Sequence, residues 1–358
     1  MHSGVCQEPD PNDEKAEKDR KKKDPVDEVM GDPILTPGEC PVIAVTLGDP
    51  AGIGPEVILK ALADPTIAPL AAWTIVGDRD VLARAGEACG IPVSSLRGVT
   101  VRHVDALRGD QVVPGQLDAA CGRAAVAYVR EATDMCLRRE AIAMVTAPVS
   151  KEAVALSGMH FSGHTEFIAE RCGSHDARMM LTNPRLSVVH VTTHMPLRDA
   201  VDVRPERITR TIVLAAEAMR WLGNDTPRIA VCGINPHASE NGLFGREEQK
   251  AIRPAIEAAK AHGVVCHGPF PPDTIFLDAW QGKWDVVIAM YHDQGHIPMK
   301  LLDFAHTVNV TLGIPIVRTS VDHGTAFDIA GGNRADPTSM IAALRLAASI
   351  GPARVKLA

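Results

Sequence analysis

Seven short apolar runs, many of their residues β-branched and each at least a helix-length from the next, constrain this chain more than any other feature of its sequence. They are PVIAVTLG (41–48), AWTIVGD (72–78), AIAMVTAP (141–148), LSVVHVTT (186–193), RIAVCGIN (228–235), DVVIAMYH (285–292) and PIVRTS (315–320). Strands covered on both faces read as continuous apolar runs of this kind. Between them, Leu117 to Arg138, Pro205 to Leu222 and Arg246 to His262 carry helical periodicity. Parallel neighbours need long crossover connections, usually helices, so the alternation predicts an α/β protein with mostly parallel sheet and helices on both faces. Polar or glycine-containing clusters follow the runs directly: GDPAGIGPE, TAPVSKEA, TTHMPLRD, GINPHASENG, MYHDQGH and RTSVDHGTA. In open α/β sheets ligands collect at the carboxyl ends of strands, so the six loops predict one composite site.

Residues 1–40 differ from the rest. They hold 11 acidic and 6 basic side chains, and EKAEKDRKKKDPVDE (Glu14 to Glu28) has almost nothing apolar to bury, so a disordered charged leader is expected. Most of the formal net charge of −7 lies there. A nearly neutral body with 4% aromatic residues argues against a nucleic-acid partner and for a small polar ligand. The basic run Arg20 to Lys23 is flanked by acidic residues and reads as solvated rather than as a membrane contact. Eight cysteines without CxxC spacing read as reduced thiols. With no signal segment and no membrane-length apolar window, a cytoplasmic protein is expected.

Three of the loops carry a histidine just beyond a buried run: His194, His237 and His292. Neutral imidazoles on separate loops suit a divalent metal with an open position for substrate, and hydrogen-bonded structural histidines are the competing reading. Asp293 and Asp199 are placed to orient such ligands or to cap helices. In GHTEF (163–167), His164 and Thr165 stand before a helix, where they either hold an anion or, for Thr165, simply cap. Lys300, Asn309 and Arg318 offer two cations and an amide for a phosphate or carboxylate, or are ordinary surface groups. The GDPAGIGPE glycines match neither GxGxxG nor a phosphate loop, so that segment reads as a tight turn bordering the site.

Taken together, GDPAGIGPE, TAPVSKEA, GHTEF, TTHMPLRD, NPHASENGLFG, GPFPPDTIF, AMYHDQGHIPMKLL and VNVTLGIPIVRTSVDHGTAFDIAG resemble the 4-hydroxythreonine-4-phosphate dehydrogenase (PdxA) family of pyridoxine and pyridoxal phosphate biosynthesis. GHIPMKLLDF and ENGLFG also resemble its D-threonate or D-erythronate 4-phosphate branch. The resemblance runs from Pro41 to the end. It implies a two-lobed fold like isocitrate and isopropylmalate dehydrogenases, with the active site in the interlobe cleft at a homodimer interface. Residues 41–165 plus 310–358 would form the first lobe and 166–309 the second, which carries the dimer interface.

The resemblance also implies roles for particular residues. His194, His237 and His292 map onto the family's metal ligands, the last from the partner subunit, for zinc, cobalt, manganese or magnesium. His164, Thr165, Lys300, Asn309 and Arg318 map onto substrate contacts. DHGTAFDIAGGNRADPTS (322–339) looks like the NAD-binding loop of the decarboxylating dehydrogenases, with His323, Gly324 and Asp328 toward the cofactor. The expected reaction oxidises 4-hydroxy-L-threonine 4-phosphate, or a close 4-phosphorylated acid, at C3 with NAD and then decarboxylates it. Asp273 and Lys300 are the candidates to take the hydroxyl proton. The rival readings are an aromatic cis-dihydrodiol carboxylate dehydrogenase and a non-catalytic metabolite-binding protein.

Overall fold

The structure, a computed structural model, describes residues 40–357, so the expectation of a disordered leader falls outside it except for Cys40. Its strands are β1 (Val42–Thr46), β2 (Ala72–Gly77), β3 (Val99–His103), β4 (Ala143–Thr146), β5 (Arg178–Thr182), β6 (Ser187–His190), β7 (Ile229–Cys232), β8 (Cys266–Phe270), β9 (Val286–Ala289), β10 (Val308–Leu312) and β11 (Val317–Ser320). All join one sheet in the order β3-β2-β1-β4-β11-β10-β5-β6-β9-β7-β8. The chain is therefore mixed α/β, as its patterning predicts. Seven of the ten ladders are parallel, and the antiparallel ones are β11 with β10, β10 with β5 and β5 with β6.

Those three successive reversals have a consequence for the loops. Strands β1 to β4 and β11 run one way, and β6 to β9 run the other. The carboxyl ends of the two groups lie at opposite edges, so the six clusters do not share a single edge as expected. The lobe limits inferred from resemblance put β1 to β4 and β11 on one side and β5 to β9 on the other, with the boundary passing through β10.

Alternation along the strands shows that both faces are covered. Met180, Val189 and Ile288 join a core with Ile208, Ile212 and Met340, whereas Leu181, Val188 and Val287 join another with Ile275, Phe276 and Met299. The first face carries helices Gly54–Leu62, Pro205–Trp221 and Thr338–Leu357, and the second carries Ala119–Leu137 and His292–Asp303. Helix Ala119–Leu137 starts where Asp118 Oδ1 accepts from the Ala120 and Cys121 amides at 2.7 and 3.0 Å. Among the described residues no helix is long and apolar enough to cross a membrane.

One buried bond ties that helix to the sheet. The hydroxyl of Tyr128 donates to Asp78 Oδ2 at 2.7 Å, and Asp78 Oδ1 accepts from the Ala106 amide at 3.0 Å, with both side chains fully buried. Tyr128→Phe removes a donor from a carboxylate that water does not reach. It should cost about 1–3 kcal/mol in urea unfolding. An unchanged midpoint would show that the bond adds nothing net.

Candidate active site

The floor of the site is set by strand register. Across the sheet Met144, Arg318, Thr311, Met179 and His190 are paired in one row, and Thr146, Ser320, Asn309, Leu181 and Val188 in the next. Directly paired residues, and residues two apart, share a face. Arg318, Asn309, Thr146, Thr311 and His190 thus point the same way, toward the face that carries helix His292–Asp303.

Arg318 is 2% exposed. Its Nε and Nη2 donate to Thr146 Oγ1 at 3.1 and 2.7 Å, and its Nη1 donates to Thr311 Oγ1 at 3.2 Å. A guanidinium has five N–H donors, so two are left without an acceptor among the described residues. Burial pulls its pKa down to about 10, opposed by the charges of Glu166 and Asp322, neither of which bonds to it. The group stays cationic at neutral pH, desolvated and without a carboxylate in contact. Such a cation is costly unless an anion joins it.

One side of the cleft is helix His164–Arg171. Its N-cap is Gly163 and no side chain caps it, so Thr165 is not the capping group. His164 Nε2 is buried and unpaired, and burial, helped by Arg318 and Lys151, holds the imidazole well below its usual range and therefore neutral. Glu166 Oε1 lies 3.3 Å from His194 Nδ1, while its Oε2 is buried without a partner. The bond to His194 holds that carboxyl below its usual range.

On the other side, Lys300 Nζ lies 3.1 Å from Asp322 Oδ2. Burial raises the Asp322 carboxyl and the lysine opposes the rise. Asn309 Oδ1 and His323 Nε2 are again buried and unpaired. Buried polar atoms are rarely left without partners, so four of them on the elements beside Arg318 mark a place where a polar ligand completes the structure. Gly324 and Asp328 are exposed on the following loop, where Asp328 contributes its carbonyl to Arg334. Asp273 is exposed on the turn after β8 and makes no hydrogen bond or ion pair with any of these groups.

His194 and His292 follow adjacent strands β6 and β9, and their ring centroids are 5.8 Å apart. His292 Nδ1 lies 2.7 Å from Asp293 Oδ1, so in each histidine a carboxylate engages Nδ1 and leaves Nε2 for another partner. That is the arrangement of metal-binding imidazoles, and of the two aspartates considered for orienting ligands only Asp293 serves, since Asp199 pairs weakly with Arg198. Behind them His292 stacks on His296 at 3.6 Å, and His296 Nδ1 lies 3.1 Å from His190 Nε2.

His237 is elsewhere. Its ring meets Phe244 at 6.1 Å, it is exposed, and no cluster of three or more metal-ligating side chains forms among the described residues. His292, expected to come from a partner subunit, adjoins His194 on its own chain, with ring centroids 5.8 Å apart. His237 opens a run of five non-glycine residues with positive φ, 53° at His237 and 57° at Asn241. Each such residue costs about 1–2 kcal/mol. Glu248 holds the run's base by accepting from the Ile234 and Asn235 amides at 2.8 Å. Strain kept in place by a buried carboxylate is a mark of a functional loop.

Sequence reasoning passed over Glu166, Asp322, Thr146, Thr311, His190 and His296. Glu166 and Asp322 lay inside quoted clusters without a role. His190, a polar residue within an apolar run, and His296, one helical turn from His292, carried usable signals.

Comparison with known proteins agrees with this chemistry. The D-threonate 4-phosphate dehydrogenase of Cupriavidus necator is 44% identical over 328 residues, 88% of this chain and 98% of that protein. The crystal structure of 4-hydroxythreonine-4-phosphate dehydrogenase from Klebsiella pneumoniae superposes with a TM-score of 0.78 at 41% identity, covering 88% of this chain and 99% of that one. A terephthalate 1,2-cis-dihydrodiol dehydrogenase from Burkholderia xenovorans gives 0.64 at 33% identity, covering 87% and 98%. The chain is accordingly an oxidoreductase acting on a CH–OH group with a nicotinamide cofactor. The profile described as pyridoxal phosphate biosynthetic protein PdxA matches residues 69–347, and with relatives of this closeness along nearly its whole folded length the chain belongs to the PdxA family.

Proposed function

We propose that the cleft oxidises a 4-phosphorylated hydroxy acid at C3 and then decarboxylates it, the substrate being 4-hydroxy-L-threonine 4-phosphate, D-threonate 4-phosphate or D-erythronate 4-phosphate. The observation that carries this reading is Arg318, a buried cation with two free donors and no carboxylate in contact. A phosphate oxygen pair meets planar guanidinium donors well. Asn309, His164 and Thr165 surround the anion, and Lys300 adds a second positive charge as a point donor.

When bound, NAD would supply the hydride acceptor for C3, and a zinc, cobalt, manganese or magnesium ion held by the histidines would supply the Lewis acidity that decarboxylation of a ketone needs. The chain's own groups do the rest. His194 and His292 present Nε2 toward that ion, held by Glu166 and Asp293. Lys300, 3.1 Å from Asp322, is placed to pass one of its ammonium protons to that carboxylate as it takes the C3 hydroxyl proton, so its charge is unchanged by the transfer. His323, Gly324 and Asp328 face the cofactor.

The third metal ligand, His237, comes in this reading from a second copy of the chain, and Asp273 lies on the same part of the molecule. The exposed apolar side chains support a homodimer. Met195 and Leu197 flank His194, Leu243 and Phe244 flank His237, and Ile297 and Leu301 follow His292, at 43 to 82% exposure. Apolar exposure concentrated beside all three histidine loops marks a protein interface. The two lobes described above belong to the same reading. So does a cytoplasmic location, consistent with described cysteines that are all free.

The test is NAD reduction with 4-phosphohydroxythreonine, D-threonate 4-phosphate, D-erythronate 4-phosphate and the unphosphorylated acids, with and without chelator. Turnover confined to phosphorylated acids is expected. Equal turnover of an unphosphorylated dihydrodiol carboxylate would favour the aromatic reading, and no NADH from any acid would leave a binding protein.

A further inference from the structure

The loop that follows β11 has almost no regular structure of its own between Val321 and Pro337, so its shape is imposed from outside. Ala326 and Asn333 have positive φ, which makes that shape intrinsically unfavourable for a free chain. It is fixed at two points ten residues apart. At the first, the Ile53 amide donates to the Thr325 carbonyl at 3.0 Å, and Gly52 approaches so closely that a Cβ there would lie 2.9 Å from Thr325 Cβ.

At the second point, one ion pair grips both polar groups of a single peptide residue. Glu56 Oε1 accepts from the Ala335 amide at 2.6 Å, Lys60 Nζ donates to the Ala335 carbonyl at 2.9 Å, and the two side chains bond each other at 2.8 Å. Glu56 is 4% exposed and Ala335 3%. Pro55 in the first turn begins the helix, and Glu56 and Lys60, one turn apart on one side of it, project together onto the loop.

We propose that Glu56 and Lys60 are a positioning pair for cofactor binding: they hold the loop in its cofactor-ready shape without touching substrate. The inference rests on the reading that residues 322–335 hold the nicotinamide cofactor. A free loop would have to be ordered on binding, and the cofactor would bear that cost. Glu56 Oε2 is buried without a partner, so the carboxylate has been kept in an apolar place for the sake of the bonds made by Oε1.

The experiment titrates NADH fluorescence in the full chain and follows hydrogen exchange of residues 322–337 in the free protein, for Glu56→Ala, Glu56→Gln, Lys60→Met and Gly52→Ala. Asp328→Ala is the control for the loop itself. Glu56→Ala should weaken NADH about tenfold and speed exchange in the loop, with Michaelis constants for the phosphorylated acid within about twofold. Glu56→Gln, whose amide oxygen still accepts from Ala335, should recover part of the loss even if the alanine variant folds poorly. Gly52→Ala, acting at the other anchor, should weaken NADH in the same direction. If NADH binding is unchanged in Glu56→Ala, Glu56→Gln and Lys60→Met while Asp328→Ala weakens it, the loop holds the cofactor and the positioning role is wrong. If Asp328→Ala also leaves NADH binding unchanged, the cofactor-loop reading falls and takes this inference with it. Equal weakening of NADH and of the acid would show a general structural role and overturn the proposal as well.

Discussion

Arg318→Ala should raise the Michaelis constant for the phosphorylated acid about 10- to 150-fold and leave that for NAD nearly unchanged. The range follows from roughly 1.5–3 kcal/mol for a charge-assisted hydrogen bond, at about 1.4 kcal/mol per decade. Two features of the site push toward its upper end. Arg318 is 2% exposed, so water screens the contact little, and the Thr146 and Thr311 hydroxyls fix the plane of the guanidinium before substrate arrives. Arg318→Lys separates charge from geometry: an ammonium keeps the charge but cannot hold both threonines and present two parallel donors, so it should recover only part of the loss. Lys300→Ala should act in the same direction with a smaller effect, because at 40% side-chain exposure water or a cation replaces its ammonium. A rise in the NAD constant with that of the acid fixed would place Arg318 on the cofactor side.

How much of this was legible from sequence depends on which element is asked. The seven apolar runs all contain strands, since each is buried on both faces and carries its own signal. β3, β5, β8 and β10 escaped notice for different reasons. β3 is a half-exposed edge strand, β8 holds Gly268 and Pro269, β5 reads RMMLT, and β10 carries Asn309 at its second position. The loss mattered, because β5 and β10 are the strands whose antiparallel pairing reverses the sheet. Without them no pattern argument could tell that Arg318 and His190 lie in one row, or that the loops of β1 and β9 leave opposite edges. Residue type was therefore easier to read than placement. The candidate anion contacts came from side-chain chemistry and resemblance, but the threonines that orient Arg318 and the carboxylate that orients His194 depend on register and packing.

Chelation should abolish turnover, with zinc, cobalt or manganese restoring it better than magnesium, since imidazole nitrogen favours the transition metals. Alanine at His194, His237 or His292 should each lower turnover by more than the roughly 10–100-fold that loss of an orienting partner costs. The arrangement of the three in a dimer can then be read by mixing inactive subunits. The rings of His194 and His292 are 5.8 Å apart on one chain, and His237 stands on a strained, exposed loop outside any metal-ligating cluster among the described residues. A site made of His194 and His292 from one subunit and His237 from the other is complementary only in mixtures that pair the His237 variant with a variant of His194 or His292. Mixing His237→Ala with His292→Ala leaves one of the two sites intact in each heterodimer, so free exchange should restore about a quarter of wild-type activity. Mixing His194→Ala with His292→Ala should restore nothing, because both lesions fall in the part of the site that a single chain supplies. Recovery in both mixtures would mean that His292 is donated across the interface after all, and recovery in the second alone that His194 is. Recovery in neither, after verified exchange, would mean that one chain builds the whole site and that the His237 loop must fold back upon it.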